Sequence, residues 1–189
     1  MKSKWIIFPA IWLITACSSS NVVPEGTKVP EQPEWIQTLG IYPQGIGTIG
    51  SAPRSPLGTQ AQRNEAIMVA RNQLAGQLQT IVQNASTQSQ KQLLESSPTA
   101  AKVIASSFTE VVMRQIVNQT LTGSMPIRQW IDPMSNELYV WVVIDENNLV
   151  PRIQAAMRQQ LKGESKDHQK ALETMDEQIQ KAIKLQKQQ

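Results

Sequence analysis

The sequence predicts an α+β fold: a small, mostly antiparallel sheet of about three strands, packed by two to three helices and followed by a polar C-terminal helix. Three observations carry this. Between Thr59 and Asn84 the apolar residues recur at spacings of three and four. From Leu121 onward the period falls to two. The turn-forming stretch Asp132–Glu137 then separates two alternating segments, as the loop of a hairpin would.

The elements follow in chain order. Met1-Lys2-Ser3-Lys4 is a short basic segment, and Trp5 to Ile14 is an apolar run too short to span a bilayer, which takes about 20 residues. These are the parts of a cleavable export signal. Its end, Leu13-Ile14-Thr15-Ala16-Cys17, resembles the bacterial lipobox. That resemblance implies cleavage between Ala16 and Cys17 and fatty acylation of Cys17. Cys17 is the only cysteine, so no disulfide partner competes for it. Several acyl chains would hold the protein firmly to a membrane, because each buried methylene contributes about 0.8 kcal/mol. Ser18 stands where inner-membrane lipoproteins carry aspartate, which by the same resemblance directs the protein to the outer membrane.

Residues 1–16 therefore read as a lipoprotein signal and 17–33 as the lipidated cysteine with a tether. The tether contains Pro24, Pro30 and Pro33 and shows no strand or helix period. Residues 34–162 read as one domain. The glycine-rich Gln44–Ser51 forms its first strand, with Ile46 and Thr48 on one side and Gly45, Gly47 and Ile49 on the other. Thr59 and Gln62 fit a capping box at the head of the first long helix, whose apolar face is Ile67, Ala70, Leu74, Leu78 and Ile81. Ser97-Pro98 opens a second helix running past Phe108 to Gln115. Alternation from Thr120 to Ile131, and again from Leu138 to Ile144, gives the hairpin strands. Pro126, which lacks an N–H, places its strand at an edge or at a bulge. A third helix is capped by Asn147 or Asn148, with Pro151 in its first turn. Residues 163–189 read as a separate polar helix with a thin seam of Leu172, Met175, Ile179, Ala182 and Ile183. That seam either meets a partner or a second copy, or the segment is a frayed solubilising tail.

Several chemistries lose their support on residue types alone. Gly45-Ile46-Gly47-Thr48-Ile49-Gly50 matches G-x-G-x-x-G, but Pro53 and Pro56 interrupt the helix a dinucleotide loop must open. His168 is the sole histidine and lies in the charged tail. The acids Glu65, Glu95, Glu110, Asp132, Glu137, Asp145 and Glu146 fall in turns, caps and helix faces. Trp35, Trp130 and Trp141 fit packing better than ligand stacking. We therefore expect no catalytic, cofactor-binding or metal site, and no enzymatic activity. The formal net charge of +3 includes Lys2 and Lys4, which the signal removes, so the mature chain carries +1 and no nucleic-acid partner follows.

The body resembles the Lpp-twenty family of bacterial outer-membrane lipoproteins, over roughly residues 33–161. The matching stretches are Pro33-Glu34-Trp35, Gly45-Ile46-Gly47, Ala66, Ala70-Arg71 and Leu74-Ala75. Leu121, Gly123 and Trp130 follow, then Tyr139-Val140-Trp141-Val142-Val143-Ile144-Asp145. The resemblance implies an α+β domain without catalytic residues, serving as a structural or assembly subunit of an envelope machine, above all the flagellar outer rings or basal disk and hence motility. The alternative is a regulator or scaffold of a cell-wall synthase or secretion channel. Partners on this reading are the outer membrane through the lipid, periplasmic proteins of an envelope complex, and further copies of the chain.

Overall fold

The computed structural model describes residues 31–160 and 165–186. Its elements are α1 (Glu34–Gln37), β1 (Gly45–Ala52), α2 (Thr59–Ser96), α3 (Pro98–Ser107), α4 (Glu110–Leu121), β2 (Met125–Ile131), β3 (Leu138–Asp145), α5 (Glu146–Gln160) and α6 (Lys166–Gln186). The α+β class holds. β3 is the central strand of an antiparallel sheet in the order β1-β3-β2.

The alternation in β3 sorts its residues onto two faces, because successive side chains in a strand point opposite ways. Leu138, Val140, Val142 and Ile144 join the main core, while Tyr139, Trp141 and Val143 belong to a second cluster on the outer face. β1 is registered from Gly45 opposite Asp145 to Ala52 opposite Leu138. Ile46, Thr48 and Ala52 are buried on the inner face, against α2. The hydroxyl of Thr48 donates to the Ala70 carbonyl at 2.9 Å, so the one polar side chain in this row is satisfied by the helix. Gly50 is what allows that approach: a Cβ there would overlap the Ala66 carbonyl oxygen and the Ala70 nitrogen. Gly45 and Gly47 are equally confined, by the Ile144 carbonyl and by the Gly40 carbonyl with Trp141. All three glycines of the motif are packing residues.

α2 runs to Ser96, twelve residues past the end expected at Asn84. Its second half carries Ala85, Ser86, Ser89 and Leu93 in the interior, packed by other helices of the same chain. Small side chains allow close helix approach, and a row of serines there reads deceptively as a solvent face. The capping box does not form. The N-cap is Gly58, with φ +95°, and no side chain caps the helix. Gln62 is buried instead, its amide donating to the carbonyls of Ala52 at 3.0 Å and Asn136 at 2.8 Å. It ties the end of β1 to the β2–β3 turn.

The expected second helix is two. The chain breaks at buried Phe108, and Thr109 caps α4 by accepting the Val112 N–H at 3.4 Å. Ser97 precedes α3 as expected, but its hydroxyl reaches Asp167 of α6 instead of capping its own helix. The strand expected from Thr120 starts at Met125, because Thr120 is buried in α4 with its hydroxyl on the Ile116 carbonyl. Pro126 lies on an edge strand and beside a register shift, so both expectations for it hold. α5 follows β3 without a loop, capped by Asp145, whose Oδ1 accepts the Asn147 N–H at 2.9 Å. Pro151 is consequently in the second turn of α5, not the first.

The polar tail differs most from expectation. α6 is neither free nor frayed: Ala171, Met175, Ile179 and Ile183 are buried in the main core, and Leu172 and Ala182 pack against it. α6 lies along α2 and α3, with Gln178 donating to Gln92 at 2.9 Å. The thin seam of α6 and the long polar half of α2 bury one another.

Candidate functional site

The lipid-attachment residue Cys17 and its cleavage neighbour Ala16 lie outside the described residues. The first described element after them along the chain is α1, and it is held down by aromatic rings. Trp35 stacks on Trp141 with centroids 5.9 Å apart and planes 5° from parallel. Tyr42 meets the same indole edge-on at 6.0 Å. The Trp141 Nε1–H donates to the Gly40 carbonyl at 2.9 Å, closing the loop between α1 and β1 onto the sheet. The Arg128 guanidinium lies 5.9 Å from the Trp141 ring centroid, and Trp130 packs on Tyr139 at 5.7 Å. Of the three tryptophans weighed from sequence, Trp35 and Trp141 are therefore buried packing residues and Trp130 is half-buried at the rim.

Electrostatics on this face serve local structure. The Tyr42 hydroxyl sits 3.0 Å from Gln44 Oε1 and 3.3 Å from Asp145 Oδ2. Desolvation first, and then the negative charge of Asp145, raises its pKa, which keeps the phenol protonated and donating. Tyr139 is shifted the same way, by desolvation and by Glu137, which accepts its hydroxyl at 3.1 Å. Asp132 is lowered because its carboxylate accepts the Met134 N–H and the Ser135 hydroxyl, holding the hairpin turn. Each of these groups is committed to a turn or a strand end.

The remaining sequence candidates are spread apart. His168 stands at the start of α6, where Ser165 accepts its backbone N–H and its Nδ1 is 2.6 Å from the Ser165 hydroxyl. Among the described residues no three His, Cys, Asp or Glu side chains converge as metal ligands. No described helix is long and apolar enough to cross a membrane. β1 leads into a loop, and α2 begins only at Thr59, so the glycine motif aims no helix N-terminus at a ligand.

Three features escaped the sequence. Tyr42 and Arg128 join the outer aromatic cluster; strand register alone brings Arg128 opposite Trp141. Asp176 lies between α5 and α6 with its Oδ1 buried and without a hydrogen bond. Burial raises its pKa, and the charge of Arg158 and a hydrogen bond from Gln154 only partly offset that. An open groove of about 620 Å³ runs between α2 and α6, floored by Ile81, Ala85 and Ala182. No single residue type signals such helix–helix features. Comparison with protein-family models, with curated proteins and with solved structures finds no match.

Proposed function

We propose that the chain is an outer-membrane lipoprotein, anchored through Cys17, whose periplasmic domain is a non-enzymatic structural or assembly subunit of an envelope machine, the flagellar outer rings being the leading assignment. The observation that carries the reading is Leu13-Ile14-Thr15-Ala16-Cys17 after a basic and apolar leader, with no other cysteine in the chain. The fastening of α1 supports it. A domain that transmits position from a membrane needs its incoming chain fixed, and the Trp35–Trp141 stack supplies such a fixed entry. The resemblance to the Lpp-twenty family supplies the machine.

Two measurements separate the parts of this reading. Metabolic labelling with a fatty acid marks the wild-type chain and not Cys17→Ala; label retained on the variant overturns the anchor. Deletion of the gene impairs swimming or the integrity of the motor's outer rings while growth is unchanged. Normal swimming with intact rings removes the flagellar assignment and leaves the anchor standing.

A further inference from the structure

β2 is the least covered element of the sheet. It pairs with β3 on one side only, and every residue but half-buried Trp130 is exposed. Its inward-facing residues, Pro126, Gln129 and Ile131, lie opposite Val142, Val140 and Leu138, yet the helical layer that buries those partners leaves them open. An exposed strand edge with apolar side chains is a template for another strand.

The edge is not uniformly available. Pro126 brings no N–H, and the register shift between Pro126 and Arg128 leaves Ile127 without a partner on β3. Prolines and bulges of this kind obstruct strand addition. They confine an incoming strand to Ile127–Ile131, the stretch Ile-Arg-Gln-Trp-Ile. That stretch reads nearly the same in both directions. An antiparallel copy centred on Gln129 would set Ile127 against Ile131 of the second copy, and Arg128 against its Trp130. Apolar meets apolar, a cation meets an aromatic ring, and the only charge in the strand does not oppose itself. Centring on Arg128 would juxtapose two like charges. Self-complementarity about a two-fold axis is what an isologous interface requires. An axis normal to the sheet also keeps both helical layers on the same side. The open inner side of β2 then leaves room for the second copy's strand.

We infer that β2 pairs antiparallel with β2 of a second copy of this chain, with the two-fold at Gln129, forming a continuous six-stranded sheet. This inference names a neighbour for the subunit role proposed above and rests on that role only for gathering copies on one membrane. Confinement there raises the effective concentration that a short strand pairing needs.

The test uses the full-length chain in its own membrane. Gln129→Cys places two thiols at the axis, where the separation across antiparallel strands suits a disulfide. Under mild oxidation a disulfide joining the two substituted positions is expected, identified as a linked peptide by mass spectrometry. Adding Ile127→Lys, which puts a charge on the edge, should lower the linked fraction by about tenfold. Leu94→Cys, on an exposed helical site, is the control for random collision. Absence of the link in a folded Gln129→Cys chain overturns the pairing, as does equal linking from Leu94→Cys. Loss of the link with Cys17 still acylated condemns the edge pairing alone; a link formed with Cys17 unacylated condemns the anchor alone.

Discussion

Trp35 lies flat on Trp141, joining the first helix of the body to the middle strand of its sheet across more than one hundred residues of sequence. Both rings are buried, and Trp141 is additionally fixed by its hydrogen bond to Gly40. Trp35→Ala should destabilise the chain by about 3 kcal/mol, since it empties a large aromatic site that backbone relaxation cannot fill. Trp35→Phe keeps most of the stack and should cost about 1 kcal/mol. Urea unfolding followed by tryptophan fluorescence and by far-UV circular dichroism measures both.

Two glycines on the same pair of elements should respond oppositely to alanine. Gly50→Ala drives a methyl into the backbone of α2 at Ala66 and Ala70 and should destabilise by about 3 kcal/mol. Gly76, within α2, has nothing within 4 Å of where a methyl would stand, so Gly76→Ala should stabilise by about 0.5–1 kcal/mol through helix propensity. A thermal unfolding midpoint that does not fall for Gly50→Ala would contradict the close strand–helix approach, and one that falls for Gly76→Ala would contradict the open space at that helix position.

Met175 is fully buried in the main core although it comes from the last helix. Met175→Ala should therefore lower global stability by about 2–5 kcal/mol, with a single cooperative transition retained. A solubilising tail would show no change in the unfolding midpoint of the variant.

Asp176 adds a pH dependence of defined sign. Its folded-state pKa is raised above 3.8, chiefly by burial, so the folded chain holds the proton more tightly than the unfolded one. The stability it contributes is full below the unfolded value and is lost as pH rises through the raised folded value. Asp176→Asn removes that loss. The variant should gain stability relative to wild type as pH rises from below 3.8 through the raised folded-state value. Equal slopes of unfolding free energy against pH in both chains would contradict this.

Much of the sheet was legible because strand alternation is a local signal. Leu138, Val140, Val142 and Ile144 are separated from Tyr139, Trp141 and Val143 in the structure as their order implies. Helix length was not legible, because it depends on what covers the helix. Ser86 and Ser89 look solvated until α6 is placed over that end of α2, and the seam of α6 looks thin until it finds α2. The break at Phe108 has no glycine or proline to mark it; only Thr109 betrays it, as a cap. Gln62 fitted a capping pattern but was drawn away by two carbonyls, one at the end of β1 and one in the β2–β3 turn. The lipobox-like stretch on which the proposed anchoring at Cys17 rests is local sequence, whereas the edge at β2 exists only once β3 has taken one side of it.

The order of assembly has a consequence for how the chain leaves the ribosome. β1 begins at Gly45 but finds its strand partner at residues 138–145, and the core stays open until residues 171–183 arrive. Such late closure defers the reward for ordering the early segments, since distant contacts must first bear the cost of closing a long loop. Until α6 emerges, a nascent chain of this design lacks contacts that close its core, which would fit the export proposed above.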